Sequence, residues 1–132
     1  MSLQHAWATV NSAAGLAAAS FTQAGVAITN AAWLGDSRMD RKVTLTAHAT
    51  GADIWVDMGS AQNLTLIAML NNNLASGGVV TATIRASSVA NFASDVVTAK
   101  AASTVNAAAP DNKDHVFQFT AVSRRYWSIL LD

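Results

Sequence analysis

The clearest pattern in the chain is a strict alternation between positions 53 and 58. Every second residue there is apolar, and the residues between them are Asp53, Trp55 and Asp57. This period of two predicts a strand with one face in the core and one face in solvent. Gly59 then begins a turn over 59–63, and 64–70 is almost wholly apolar, which is typical of a central strand covered on both faces.

Similar patterns elsewhere predict a sheet of several short strands. Alternation also occurs at 43–49, 79–86, 115–120 and 126–131, and more weakly at 21–28. The turn at 50–52 predicts a hairpin between 43–49 and 53–58. Seven or eight short strands separated by turns are the pattern of an all-β fold, an antiparallel β-sandwich or jelly roll.

The remaining segments predict connections. Residues 87–98 fit a short helical turn or an irregular loop, and 100–114, with the single Pro110, fit a long surface loop. Residues 1–29 predict an N-terminal arm or a first strand, because 13–20 lacks an apolar stripe. The jelly-roll domain is expected over 30–132, with residues 1–20 mobile or packed on a neighbouring subunit.

The alternation also predicts the core. We expect one buried residue from each of five different strands, and these are Val56, Leu66, Ile84, Phe117 and Trp127.

Composition narrows the possible partners. Eight Lys and Arg balance eight Asp, so net charge gives no reason to expect nucleic acid or an anionic membrane. No run of apolar residues is long enough to span a bilayer, and the absence of Cys excludes disulfides and thiolate metal sites. A charged fraction of 12% is about half the usual value, which favours self-association into a homo-oligomer, a trimer or a dimer.

Catalytic and metal-binding patterns are missing from the sequence. Asp53 and Asp57 lie four residues apart on one strand, so their Cα atoms are about 13 Å apart, too far to share an ion or a proton. We expect Asp57 to cap the turn at Gly59 and Asp53 to be solvated. The scattered histidines lack zinc-site spacing, and no nucleophile elbow or phosphate loop is present. We therefore expect no catalytic residue, no metal and no cofactor.

Two stretches are candidates for contacts with a sugar or a protein partner. Arg125 and Tyr126 place a cation beside an aromatic ring, although strand alternation also explains them if Trp127 is core, Tyr126 faces out and Arg125 pairs with an aspartate. Asn71, Asn72 and Asn73 begin a loop over 71–78 whose amides suit sugar hydroxyls, but Asn and Gly are also common turn formers.

Several of these residues together resemble a known family. The segment DIWVDMG at 53–59, the apolar strand followed by NNNL at 71–74, and RYWSI at 125–129 are similar to discoidin-like, galactose-binding-like jelly rolls. The variant with an Asn after the central strand and RYW near the end resembles small structural proteins of tailed bacteriophages, such as decoration, tail or baseplate components. The resemblance covers about residues 30–132.

This resemblance implies a non-enzymatic structural protein of a phage or prophage virion, assembled in the host cytoplasm. Its expected partners are further copies of itself and the major capsid or tail proteins. The alternative is a carbohydrate-binding module that holds a glycan at the 71–78 loop.

Overall fold

The computed structural model describes residues 21–24, 26–27, 52–72, 81–105 and 113–132. The described strands are β1 (Phe21–Gln23), β2 (Val26–Ala27), β3 (Ala52–Asn72), β4 (Thr81–Ser87), β5 (Val97–Thr104) and β6 (Lys113–Leu131). A single 3₁₀ turn, Ala90–Phe92, lies between β4 and β5. All strand pairs are antiparallel, and the order across the sheet is β2-β1-β3-β6-β4-β5.

The two long strands β3 and β6 form the centre of the sheet. Ala52 pairs with Leu131 at one end of the pair, and Asn72 pairs with Lys113 at the other. The register shifts between Asp57 and Gln62, where Gly59 has a φ of 75°. Such an irregularity bends the strand locally, and glycine adopts a positive φ without strain.

The bend folds β6 back towards itself. Phe119 and Trp127 are eight residues apart, which would separate their Cα atoms by about 26 Å on a straight strand. Their ring centroids are instead 5.7 Å apart. The long pair therefore turns a corner between 57 and 62 of β3 and near 123–125 of β6, so that one hydrogen-bonded sheet supplies two packed layers.

The core lies between these layers. The largest fully buried apolar side chains are Trp127, Ile84, Leu131 and Val105. Phe21 of β1, Ile54 of β3 and Phe117 of β6 join them. The period-two alternation produces this arrangement, because Ile54, Ile84 and Ile129 are in register across β3, β4 and β6 and share one face.

The structure agrees with the predicted all-β antiparallel fold and corrects several of its elements. The segments 53–58 and 64–70 are one strand rather than two, as are 115–120 and 126–131. The predicted turn at 59–63 and the predicted joint at 123–125 are the two sides of the corner. The prediction of a surface loop over 100–114 is wrong at its start, because β5 pairs with β4 from Val97 to Thr104.

The predicted core is correct at three of its five positions. Ile84, Phe117 and Trp127 are buried, whereas Val56 and Leu66 are only half-buried. The five residues also come from three strands and not five. Leu66 is in register with the exposed Gln118 on the far side of the corner, so its strand is not covered on both faces.

Three expectations about the chain's organisation remain predictions. The hairpin partner 43–49 and residues 1–20 lie outside the described residues. The weak alternation at 21–28 includes β1 and β2, and β1 pairs with β3. The division between an arm at 1–29 and a domain at 30–132 is not tested by this pairing.

A core substitution gives a quantitative check of this packing. Ile84→Ala should lower the free energy of unfolding by about 2–5 kcal/mol, because Ile84 is fully buried and the cavity cannot refill with water. Urea denaturation measures this loss. The matched control Val116→Ala removes a side chain that is 42% exposed, so it should change stability by less than about 0.5 kcal/mol. Equal losses in the two variants would contradict the assigned faces.

Candidate functional site

We call the face of the sheet that points away from the core the outer face. It carries a continuous row of polar and aromatic residues. In register across five strands, this row contains Thr22, Trp55, Ser128, Arg85 and Thr98. Ser128 is fully buried at its centre, with Trp55 on one side and Arg85 on the other. The row therefore places an aromatic ring and a cation side by side on a rigid sheet.

Asp53 contacts three residues of this row, Trp55, Ser128 and Arg85. Its Oδ2 accepts a hydrogen bond from Trp55 Nε1 at 2.6 Å, and its Oδ1 accepts one from Ser128 Oγ at 2.8 Å. Arg85 completes the cluster by an ion pair with Asp53 and by hydrogen bonds from its Nε and Nη2 to Ser128 Oγ, both at 3.1 Å. The prediction of a solvated Asp53 is therefore wrong, because three neighbouring side chains saturate its carboxylate.

Phe92 covers this cluster from the 3₁₀ turn. Its ring centroid lies 5.4 Å from that of Trp55, with the two rings inclined by 49°. The guanidinium carbon of Arg85 is also 5.4 Å from the Phe92 centroid, a cation–π distance. Both aromatic rings remain half-buried and thus partly open to solvent.

The loop 88–96 holds Phe92 in a backbone conformation that is unusual for its sequence. Asn91, Phe92 and Asp95 all have positive φ values, between 51° and 60°. Such residues need support from their surroundings. The buried Ser87 supplies it, because its hydroxyl oxygen lies 2.9 Å from the Val89 carbonyl oxygen and 2.8 Å from that of Ser94 and donates its one hydrogen to either of them. The same oxygen accepts a hydrogen bond from the Val89 amide at 2.9 Å.

Charged contacts fasten the other end of the loop. Asp95 accepts a hydrogen bond from Ser88 and forms an ion pair with Arg124 of β6, whose Nε lies 3.1 Å from Asp95 Oδ2. The Ser88 hydroxyl, with help from Arg124, holds the pKa of Asp95 below its usual range. The loop is thus fixed to the sheet at both ends, which positions Phe92 over Trp55.

A third charged pair lies on the corner of the long strands. Asp57 Oδ1 accepts hydrogen bonds from Arg125 Nε at 2.7 Å and from the Gly59 amide at 2.8 Å. Its Oδ2 accepts one from Arg125 Nη2 at 2.9 Å, which makes the pair bidentate. The hydrogen bond from Arg125 holds the pKa of Asp57 below its usual value; partial burial opposes this shift and the Gly59 amide reinforces it. The same contact raises the pKa of Arg125.

Tyr126 connects the corner to the aromatic cluster. It is in register with Asp57 on β3 and with Ser87 on β4, so its side chain lies on the outer face, diagonally next to Trp55 and Arg85. The guanidinium carbon of Arg125 is 5.0 Å from its ring centroid. We call Trp55, Phe92 and Tyr126 the aromatic patch.

The structure places the predicted site residues in two groups. Arg125 and Tyr126 are in contact, Arg125 pairs with Asp57, and Trp127 is core, as the strand alternation predicts. That either residue contacts a sugar or a partner stays a prediction. The expected cap of Gly59 by Asp57 is also present. Asn71 and Asn72 end β3, without described side chains, and Asn73 with the rest of the 71–78 loop lies outside the described residues.

Sequence reasoning missed Trp55 and Phe92 as site residues. The alternation at 53–58 places Trp55 on the polar face, and a large aromatic ring there is a signal of surface function. Phe92 carries no such signal, because its position over Trp55 depends on the conformation of loop 88–96.

The described part of the chain contains neither a metal-binding cluster nor a membrane-spanning helix. No group of three or more His, Cys, Asp or Glu residues there is arranged to hold a metal ion. Within the same residues, no helix is long and apolar enough to span a membrane.

Comparison with known proteins identifies the fold. No family model and no curated protein sequence matches the chain. Among solved structures, it is similar to the family 32 carbohydrate-binding module of AlyQ in complex with 4,5-unsaturated mannuronic acid. The TM-score is 0.54 at 21% identity, over 73% of this chain and 67% of that one.

The chain is also similar in structure to two further carbohydrate-binding modules. The family 32 module from C. perfringens NanJ in complex with galactose has a TM-score of 0.56 at 15% identity, over 75% of this chain and 70% of that one. Chitosan-binding module 1 of the chitosanase/glucanase from Paenibacillus sp. IK-5 has a TM-score of 0.58 at 19% identity, over 84% and 81%. At such identities the similarity establishes the fold alone, an antiparallel β-sandwich, which confirms the predicted all-β fold class.

These comparisons overturn the main functional prediction. The three structures described above are carbohydrate-binding modules, and none of them is a phage protein. The prediction of a structural virion protein is therefore wrong. The RYW motif at 125–127, one of the short motifs behind that prediction, lies within β6.

The corner pair gives a pH-dependent prediction. The pKa of Asp57 is lower in the folded chain than its ordinary value of 3.8, so the pair stabilises the fold above about pH 4. That contribution is lost as the pH falls through the folded pKa. Asp57→Asn should therefore flatten the acid side of the stability profile, measured by urea unfolding between about pH 7 and 2.5.

Removing the partner should have the same effect. Arg125→Gln leaves Asp57 without its cation, so the acid side of its profile should also be flatter than in the wild type, although the Gly59 amide still lowers the pKa of Asp57. A full wild-type loss of stability in acid in both variants would show that the pair is not coupled to folding.

Proposed function

We propose that this protein is a non-catalytic carbohydrate-binding module that holds its glycan on the outer face of the sheet. The observation that carries this proposal is the aromatic patch. Trp55, Phe92 and Tyr126 all lie half-exposed on one face, while the other described aromatic residues, Phe21, Phe117, Phe119 and Trp127, belong to the core or pack against it. Aromatic rings that lie on a surface with hydrogen-bonding groups between them are suited to the apolar faces and hydroxyls of sugars.

Hydrogen-bonding groups adjoin the patch. The Arg85 side chain is 25% exposed beside Trp55 and Phe92, and Arg125 is 44% exposed beside Tyr126. A guanidinium has five N–H donors, so donors remain for sugar hydroxyls after an aspartate is bound. The side chains are also fixed before a ligand arrives, which lowers the entropic cost of binding.

The similar structures support the same class of function. The modules from AlyQ and NanJ were solved with a mannuronic acid derivative and with galactose, and the Paenibacillus module is described as chitosan-binding. These are properties of those proteins. For this chain, they favour a search among glycans over a search among phage proteins or enzyme substrates.

The loop 71–78 is the other location to test. Its asparagine amides carried the sequence-based alternative, and Asn72 ends β3 beside Lys113. The aromatic patch has the stronger support, since its rings and donors are described in place.

The deciding experiment compares the glycan affinity of a variant of the aromatic patch with that of a variant of the 71–78 loop. Purified protein is titrated with galactose oligomers and with N-acetylglucosamine oligomers by calorimetry. Trp55→Ala should abolish saturable binding, because it removes the central ring of the patch. The double change Asn72→Ala and Asn73→Ala should leave the affinity unchanged.

A matched control separates binding from folding. Val116→Ala alters an exposed side chain outside the patch and should bind as the wild type does. The melting temperature of Trp55→Ala is measured alongside, so that unfolding is not mistaken for lost affinity. Binding that is lost in the double asparagine variant and kept in Trp55→Ala would move the site to the loop and contradict the proposed face.

A further inference from the structure

Beyond its aromatic rings, the outer face is notable for how its charges are arranged. Three arginines lie on or beside the patch, and each forms an ion pair with a different aspartate. The pairs are Arg85 with Asp53, Arg124 with Asp95, and Arg125 with Asp57. Positive and negative charges therefore cancel pair by pair along the face, and not only over the whole chain.

Additional hydrogen bonds stabilise two of these ion pairs. Asp53 is only 16% exposed and is hydrogen-bonded to Trp55 and Ser128 as well as to its arginine. Asp57 is bound bidentately by Arg125 and also by the Gly59 amide. Separating either aspartate from its arginine would leave a partly buried charge without its counter-ion, which is costly. The arginines are thus not available as full positive charges to a ligand.

Lys100, another described basic side chain near these strands, lies on β5 at the edge of the described sheet order. Strands β6 and β4 separate it from β3, which carries Trp55. Neighbouring strands are about 4.8 Å apart, so the strand of Lys100 is about 14 Å from that of Trp55.

We propose that the glycan bound by the aromatic patch is uncharged: the outer face takes neutral pyranose units and discriminates against uronates and amino sugars. This inference rests on the proposed carbohydrate-binding function and specifies the ligand class of the same site. A carboxylate on the sugar would need a free cation, and an ammonium would need a free carboxylate. Among the charged side chains that the structure describes beside the patch, the three pairs leave neither. Each ion pair still has arginine N–H donors and carboxylate lone pairs that are not used within the pair. These groups can hydrogen-bond to sugar hydroxyl groups.

The test compares glycans that differ in charge. Oligomers of galactose and of galacturonate with the same linkage form one set, and oligomers of N-acetylglucosamine and of glucosamine form another. In each set, the neutral member should bind roughly tenfold or more tightly, because the charged member loses water without gaining a counter-ion. Binding of the neutral member should also be independent of salt concentration.

A gain-of-function variant makes the test sharper. Asp57→Asn keeps an oxygen acceptor for the Gly59 amide and frees the Arg125 guanidinium. This variant should acquire measurable, salt-sensitive binding of the galacturonate oligomer. The matched control Asp132→Asn removes one negative charge from the exposed residue that follows β6 without freeing an arginine, so it should acquire none.

The outcomes separate the inference from the proposed function. Galacturonate or glucosamine oligomers that bind as tightly as their neutral counterparts, and lose affinity in Trp55→Ala, would overturn the neutral-ligand inference and keep the carbohydrate-binding face. If none of the four oligomers bound, the proposed function itself would fail and the inference with it.

Discussion

The corner in the paired strands β3 and β6 is the constraint on which the rest of the structure depends. Without it, the two halves of each strand would extend in opposite directions, and Phe119 could not reach Trp127. The corner needs a residue that tolerates a positive φ, which Gly59 supplies, and a contact that joins both strands, which Asp57 and Arg125 supply. A single carboxylate thus bonds the backbone of one bent strand and the side chain of the other.

The outer face follows from the same geometry. Because the far halves of β3 and β6 turn towards the core side, the near halves leave their other face uncovered by this pair. Asp53 and Ser128 satisfy each other there, and Trp55 and Phe92 cover them. The sheet supports the rings from beneath and the fastened loop 88–96 supports Phe92 from the side. A surface held on strands in this way keeps its shape better than one built on loops alone.

The sequence predicted a structural feature correctly where a single local effect determines that feature. Alternation identified the face of Ile54 and of Trp127, and the short reach of a carboxylate identified the cap at Gly59. Alternation failed to predict strands that form because a neighbouring strand offers them backbone hydrogen bonds. Residues 97–104 are Ala-, Thr- and Ser-rich with little alternation, and they form a strand because β4 offers an unpaired edge.

The site was harder to predict than the fold for the same reason. Trp55 could be assigned to the polar face from its position, but its contact with Phe92 joins residues 37 positions apart through a loop with positive φ values. No local pattern encodes that approach. The pairing of each arginine with its aspartate is likewise a product of register, so the neutrality of the face is not visible in the order of residues.

The pairing of β3 with β6 also has a consequence for how the chain folds. Ala52 meets Leu131 at one end of the central ladder and Asn72 meets Lys113 at the other, so every pair of this ladder joins residues at least 41 positions apart. The entropy of closing such a loop must be lost before the first of these contacts forms, and sheets dominated by such pairings fold in about milliseconds to seconds. The chain should therefore pass through its slowest step late, when the last strand arrives between two strands, β3 and β4, that are not neighbours until it does.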